Sequence, residues 1–336
     1  MSTAAAFVMP FYYDSEEALA YARRSVQSIV DQSDPDWYLV IVDDGSPLSD
    51  SEQRLHELRS MSPARITVLR QESNLGQGVA RNIAVEWADH RGSPFVLFQD
   101  SDDVAHPRRL EVTKGVFDGR QADFVYSTFT VIDARGNAVP QELIAPSVYE
   151  ILEAHRDNPP QGMDCWITIA AQTGYLTLTS TVSVSTARAL RNPFPDARGS
   201  EDGHAFLRMS ADGAVFSYQP SIPAKYRIHA DSTSARLGRP LIWTGSAERS
   251  DAENDYHATK LRVDSDGFEQ ACVLAVARGA LSDSDVPGLR EQFRQRIIQT
   301  INREGPGGFT FEWNDRGLPD PLNHSTSLAE TFTGEQ

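Results

Sequence analysis

The chain carries acidic and aromatic residues in short groups, each placed just after an apolar run. The most pointed group is Asp100-Ser101-Asp102-Asp103, directly after Phe95-Val96-Leu97-Phe98 and one residue, Gln99. Alternate positions of an extended segment share one side, so Asp100 and Asp102 present two carboxylates together. Hard cations take oxygen ligands, and Mg²⁺ commonly uses one or two carboxylates plus phosphate oxygens. The motif suits a divalent cation bridging a diphosphate. A solvated acidic turn leading into a helix near Pro107 would give the same four letters.

Five further groups could act on the same kind of ligand. Asp43-Asp44-Gly45-Ser46 ends the run Trp37-Tyr38-Leu39-Val40-Ile41-Val42. An ionised Asp only accepts hydrogen bonds, so one of these carboxylates could take the N3–H of a uracil-type base. Asp-Gly is also ordinary turn chemistry. Tyr12 or Tyr13, after Pro10 and Phe11, could stack on a base or belong to the core. Asn74-Leu75-Gly76-Gln77-Gly78 opens a helix, but Arg81 stands where a dinucleotide fingerprint has its third glycine. Arg81 could reach a phosphate or pair with a sheet-edge carboxylate. Glu201-Asp202, before a helical stretch, is a candidate general base for an acceptor hydroxyl, or a pair of acids serving the helix dipole. His229 follows an expected strand, where contact with a metal or a diphosphate is open, as is a plain surface or core role.

The elements that must position these groups alternate. Apolar runs at residues 6–11, 37–42, 66–69, 95–98 and 124–126 read as strands. Residues 15–32, 78–88 and 107–116 carry apolar residues at helical spacing, with Ser15 as a cap. Such alternation predicts a parallel sheet with helices on both faces, whose ligands bind beyond the carboxyl ends of the strands. Three strands end there in Pro10-Phe11-Tyr12-Tyr13-Asp14, Asp43-Asp44-Gly45-Ser46 and Gln99-Asp100-Ser101-Asp102-Asp103. Two acidic groups and an aromatic one are therefore expected to converge on one crevice. Residues 137–174 read as irregular, 175–184 as β, and 252–263, 268–281 and 286–301 as three helices.

Composition narrows the partners. The 336 residues carry a net charge of −16, with no local basic stripe. Phosphate backbones and anionic membrane surfaces are disfavoured, so no nucleic-acid partner is expected. Cys165 and Cys272 form no CxxC and read as reduced, buried thiols. Residues 1–6 lack a basic n-region, and no run is apolar enough to span a membrane, so a soluble cytoplasmic protein is expected. Only Lys114, Lys225 and Lys260 among the 31 basic residues are lysines, a bias in keeping with a GC-rich bacterial genome.

Taken in order, Pro10-Phe11-Tyr12, Val42-Asp43-Asp44-Gly45-Ser46, Asn74-Leu75-Gly76 with Ala80-Arg81-Asn82, Asp100-Ser101-Asp102-Asp103 with Pro107, Ser200-Glu201-Asp202 and the stretch from Tyr226 through His229 to Ser234 closely resemble family 2 glycosyltransferases of the GT-A fold. The resemblance covers residues 5–235. It implies an α/β fold, Rossmann-like, with a mostly parallel central sheet between helices, plus a C-terminal helical extension. It implies an inverting, single-displacement transfer from a nucleotide-diphosphate sugar, UDP by default, to an acceptor hydroxyl. In that frame Asp44 holds the base beside Pro10 and Tyr12. Asp102 is the main ligand of a divalent metal, Mn or Mg, and His229 a further metal or diphosphate contact. Asp100, Ser101, Arg81 and Glu201 serve the nucleotide-sugar, and Asp202 is the catalytic base. The metal's task is electrostatic, on the leaving diphosphate.

Two departures qualify the picture. Tyr13 replaces the asparagine usual at that place, and no QxxRW segment of processive membrane synthases occurs. The expected layout is a GT-A domain over 1–240 (donor half 1–130, acceptor half 131–240), a helical extension over 241–304 and a polar, disordered tail over 305–336. The extension is a candidate to close over the acceptor or to make a homodimer. The acceptor is expected to be a small natural product, with Trp166, Tyr175 and nearby threonines as candidate contacts. The alternatives are a cell-envelope glycan at the cytoplasmic face and a non-catalytic nucleotide-sugar-binding homologue.

Overall fold

The structure is a computed structural model, and it describes residues 4–230, 232, 251–303, 311–313 and 319–321. Strands β1 (Ala5–Phe11), β2 (Trp37–Asp43), β3 (Ile66–Arg70) and β4 (Phe95–Phe98) are parallel neighbours. Helices α1 (Glu16–Val30), α2 (Ser51–Ser60) and α3 (Gln77–His90) make the crossovers between them. Every residue of β1 is buried, as a strand covered on both faces requires. Ser15 caps α1 by accepting from Ala18 N.

The seven-stranded sheet runs β3-β2-β1-β4-β7-β5-β8, where β5 is Phe124–Tyr126, β7 Ser183–Ser185 and β8 Phe216–Tyr218. All pairings are parallel except those of β7, which is antiparallel to β4 and β5. β1 has β2 on one side and β4 on the other, so the crossovers diverge between β1 and β4 and open a crevice at their carboxyl ends. A second, two-stranded sheet joins β6 (Phe129–Ile132) to β9 (Ala224–Arg227) in parallel. One core lies on each face of the main sheet. Phe7, Leu39, Ile41 and Leu97 face α1 and α2, whereas Val8, Val40, Val96 and Phe98 face α3 and the later helices. Each such fully buried side chain contributes about 1.5–3 kcal/mol.

The later part of the chain departs from the sequence reading. Helix α5 (Pro146–Asp157), after α4 (Arg109–Asp118), stands in the stretch read as irregular. Its first residue is proline, and Val148 and Ile151 pack on β6 and β9. Residues 175–184 alternate but are not one strand: Thr179–Thr181 is a 3₁₀ turn before β7. Thr181 donates to Leu178 O and shares a 2.6 Å bond with Thr177, and such local bonds compete with a sheet ladder. Past the short helices α6 (Cys165–Thr168) and α7 (Thr186–Arg191), Glu201 and Asp202 do not precede their helix. They lie in the first turn of α8 (Glu201–Ala211). The two helices expected at 252–281 are one, α9 (Asp251–Ala277), followed by α10 (Val286–Arg303). Strands β10 (Phe311–Trp313) and β11 (Pro319–Pro321) pair antiparallel. The rest of the expected disordered tail, and most of 231–250, lie outside the described residues. No helix among the described residues is long and apolar enough to cross a membrane.

Candidate functional site

Asp44, one residue past β2, is held by three donors. Its Oδ1 accepts from Gln71 Nε2 at 2.8 Å and from Leu75 N at 2.7 Å, and its Oδ2 accepts from Gly76 N at 2.9 Å. Gly45 makes this possible. Its φ is +69°, and a Cβ there would lie 2.5 Å from the carbonyl carbon of Ser73, so only glycine lets the 73–76 loop close on Asp44. Burial raises the Asp44 carboxyl, against the pull of the Leu75 and Gly76 amides. A carboxylate has about four acceptor positions, so one remains on Oδ2.

Its neighbour Asp43 is tied inward. It accepts from Ser46 N and the Ser46 hydroxyl, and pairs with Arg70. The two tyrosines also separate. Tyr13 is buried, stacked on Phe11, and donates to Glu16 at 2.8 Å. Tyr12 lines the crevice with Pro10.

At the end of β4, Asp100 Oδ1 accepts from Arg81 Nη2 at 2.7 Å, while Arg81 Nη1 donates to Glu201 Oε1 at 2.8 Å. Arg81 is 1% exposed. Burial opposes its charge, but Asp100 and Glu201 outweigh burial and raise its pKa. Of the two readings open for Arg81, the structure shows the pairing with sheet-edge carboxylates. Gln77 also donates to Glu201, so α3 holds the first turn of α8.

Asp102 and His229, from β4 and the segment after β9, meet at 3.0 Å between Oδ2 and Nε2. The other ring nitrogen of His229, Nδ1, is buried without a hydrogen-bond partner. The ring lies 4.8 Å from that of Tyr21 on α1, whose hydroxyl donates to Glu17 at 2.5 Å. Arg227 donates to the carbonyl of Asp102, and Asp103 accepts from Arg227 N. Burial, with Asp102 and Asp100 adding to it, raises the Asp103 carboxyl well above the usual range. Among the described residues, no three His, Cys, Asp or Glu side chains are grouped to hold a metal ion.

Asp202 Oδ2 accepts from the Thr179 hydroxyl at 3.1 Å, and Oδ1 from Gly203 N at 2.8 Å. Burial and the adjacent Glu201 push its carboxyl up to about 6. A carboxylate poised near neutrality is what proton abstraction from a hydroxyl requires.

These groups share one cleft of about 590 Å³. Pro10, Tyr12, Asp44, Arg81, Asp100, Ser101, Asp102, Glu201, Asp202 and His229 all line it. Sequence reasoning missed Thr179 as a partner of Asp202, Gln77 as a partner of Glu201, and Tyr21 behind His229. Each is an ordinary residue whose role depends on distant chain. Trp166, a candidate acceptor contact, is instead fully buried beside Phe268. Tyr175 does line the cleft.

Comparison with known proteins bears on the family and the fold. The model of the family described as Glycosyl transferase family 2 matches residues 6–175. An uncharacterized glycosyltransferase of Methanocaldococcus jannaschii is 33% identical over 147 residues, 44% of this chain and 48% of that protein. The UDP-Glc:alpha-D-GlcNAc-diphosphoundecaprenol beta-1,3-glucosyltransferase WfgD of Escherichia coli is 28% identical over 237 residues, 70% of this chain and 81% of that protein. The chain spans about half the length of some curated relatives it matches, 48% and 50% for two of them. Among solved structures, S. aureus TarS 1-349 in complex with UDP-GlcNAc superposes with a TM-score of 0.54, at 17% identity, over 90% of this chain and 84% of that one. At that identity the likeness is one of fold.

Proposed function

The chain belongs to glycosyl transferase family 2, and from that premise we propose that it moves a sugar from a UDP-sugar to an acceptor hydroxyl with inversion. The observation that carries this reading is the convergence of Asp44, the Asp102–His229 pair and Asp202 on one cleft at the carboxyl edge of β1, β2 and β4.

The state of Asp44 favours a uracil-type base. With three donors already in place, one acceptor position is left. Uracil and thymine offer a single N–H on that edge, whereas guanine offers two and needs two acceptors. Tyr12 and Pro10 supply the apolar wall beside it.

A divalent metal fits the next pair. Asp102 Oδ2 and His229 Nε2 face each other beside the cleft, where both could bind one ion once the ring nitrogen is unprotonated, and diphosphate oxygens and water can complete a hard-cation shell. Asp102 and His229 would hold the ion, which offsets the charge developing on the leaving diphosphate.

Asp202 acts on the acceptor side. It takes the proton as the acceptor oxygen attacks the anomeric carbon. The bond from that carbon to the diphosphate oxygen breaks, and its electron pair leaves with the nucleoside diphosphate. Thr179 and the Gly203 amide hold the carboxylate through one lone pair on each oxygen, leaving a second on each for the proton.

For the acceptor, the likeness to WfgD supports a sugar hydroxyl of a cell-envelope glycan. A small natural product is the second reading, held by the net charge of −16, which disfavours docking on an anionic membrane. The test is release of nucleoside diphosphate from UDP-glucose, UDP-N-acetylglucosamine and GDP-mannose with Mn²⁺. Release from a UDP-sugar, lost in Asp202→Asn, supports the reading. Release from the GDP-sugar alone contradicts it.

A further inference from the structure

The turn that carries Asp202 begins at Ser200, whose φ of 60° and ψ of 12° lie in the left-handed region. A non-glycine residue keeps that conformation where its surroundings impose it. Here the surroundings come from α9, far along the chain and outside the stretch matched to the family.

Three ties join α9 to this turn. The Ser200 hydroxyl donates to Asp264 Oδ1 at 2.5 Å, and Ser200 and Asp264 are 4% and 6% exposed. Asp264 Oδ2 pairs with Lys260, one turn earlier on α9. At the other end of the turn, His204 Nε2 lies 2.9 Å from Asp266 Oδ2. Next to Asp266, Gly267 packs so closely that a Cβ would come within 3.0 Å of His204 Cα. Tyr175, which lines the cleft, closes the group, its hydroxyl 3.0 Å from Ser200 Oγ and its ring centroid 4.7 Å from Lys260 Nζ. Farther along α9, Phe268 packs against Trp166 and Phe293, and Glu269 pairs with Arg290 of α10. Its polar contacts with residues 200–204 come from Asp264 and Asp266.

Within the turn, Glu201 is held by Arg81 and Gln77, and Asp202 by Thr179. Those ties fix side chains. The ties to Ser200 and His204 hold the residues on either side of them, and Gly267 packs on the His204 main chain itself.

We propose that Asp264 is a positioning residue for Asp202, acting through Ser200, so that the helical extension completes the turn bearing the base. This rests on Asp202 being that base. A base misplaced by about 1 Å can lose on the order of a hundredfold in rate. The extension thus has a part in the reaction although it need not touch substrate.

The experiment reads Asp202 without needing an acceptor. The carboxyl ¹³C signal of Asp202 is assigned by its absence in Asp202→Asn and titrated in wild type, Asp264→Asn, Asp264→Ala and Ser200→Ala. UDP binding with Mn²⁺ is measured alongside by calorimetry. The groups facing Asp202 are Glu201 and Arg81, and none of these variants alters them. In wild type the midpoint is expected near 6. Asp264→Asn still accepts from Ser200 and keeps it. Asp264→Ala and Ser200→Ala free the turn, admit water and return the midpoint toward about 4. UDP affinity stays within twofold in each.

The Ser200→Ala, Asp264→Ala double variant shifts the midpoint by less than the sum of the single changes, because both break the Ser200–Asp264 bond. If Asp264→Ala does not fold, Ser200→Ala carries the test alone. A midpoint that stays near 6 in the alanine variants that fold overturns the proposal. So does one that moves equally in Asp264→Asn, or a shift accompanied by loss of UDP binding. Turnover of Asp202→Asn separates the two claims. If it equals wild type, the base assignment fails whatever the titration shows.

Discussion

His229 lies 3.0 Å from Asp102 although 127 positions separate them. The contact joins the end of β4 to the segment after β9. Tyr21 flanks the imidazole, and its ring centroid is 4.8 Å away.

His229→Ala should therefore weaken Mn²⁺-dependent nucleotide binding while leaving metal-free binding unchanged. The expected loss is about 10- to 100-fold, the usual range when a metal site loses such support. Calorimetric titration of UDP with and without Mn²⁺ checks it. Equal losses under both conditions would count against His229 as a metal contact and leave it a direct contact of the diphosphate.

Asp202→Asn should lower turnover by about 10²- to 10⁴-fold, the usual contribution of a general base. UDP affinity should be unaffected. Because burial and Glu201 push the Asp202 carboxyl up to about 6, the base is ionised above that pH and protonated below it. In wild type, kcat/KM should fall on the acid side with a midpoint near 6, since that ratio reports the free enzyme. A flat profile between pH 5 and 7 would rule out this role.

Asp44→Asn should cost affinity for UDP and blunt the preference over GDP. The amide replaces one carboxylate oxygen with a donor, which faces either the loop amides or the base N–H. Leaving one such buried group unpaired costs about 1–3 kcal/mol, or roughly 5- to 150-fold in Kd. Competition binding with UDP and GDP measures both effects, and an unchanged UDP affinity would remove Asp44 from the base site.

Arg81→Ala should destabilise the fold as well as the site. The guanidinium is 1% exposed and joined to Asp100 and Glu201, and removing one member of a buried ion pair costs about 3–5 kcal/mol. Denaturant unfolding gives the value. A loss under 1 kcal/mol would mean the two carboxylates simply take up protons or water.

The strands that build the crevice were legible because their burial is written in continuous apolar runs, such as Trp37 to Val42. The polar residues that end them could be placed at one edge from the strand–helix alternation alone. What failed was local. Thr177 and Thr181 bond to each other, which turns an alternating segment away from a strand. Asp264-Ser265-Asp266-Gly267 reads as a helix break. It is instead a close contact of α9 with the start of α8, Asp264 meeting Ser200 and Asp266 meeting His204. Tyr12 and Tyr13 could not be told apart, since neighbours on an extended segment differ only in which side is core. The resemblance supplied roles for Asp44, Asp102, Asp202 and His229. The contacts that fix them, from Thr179 with Asp202 at 23 positions to Asp102 with His229 at 127, have no signature in sequence.

The most direct test of the account is calorimetric titration of UDP, dTDP and GDP, each with and without Mn²⁺, into wild type and Asp102→Ala. The account predicts metal-dependent binding of UDP, with dTDP allowed and GDP weaker, and loss of the metal dependence in Asp102→Ala. Absence of binding by all three nucleotides at millimolar concentration, or binding indifferent to both Mn²⁺ and Asp102, would contradict it.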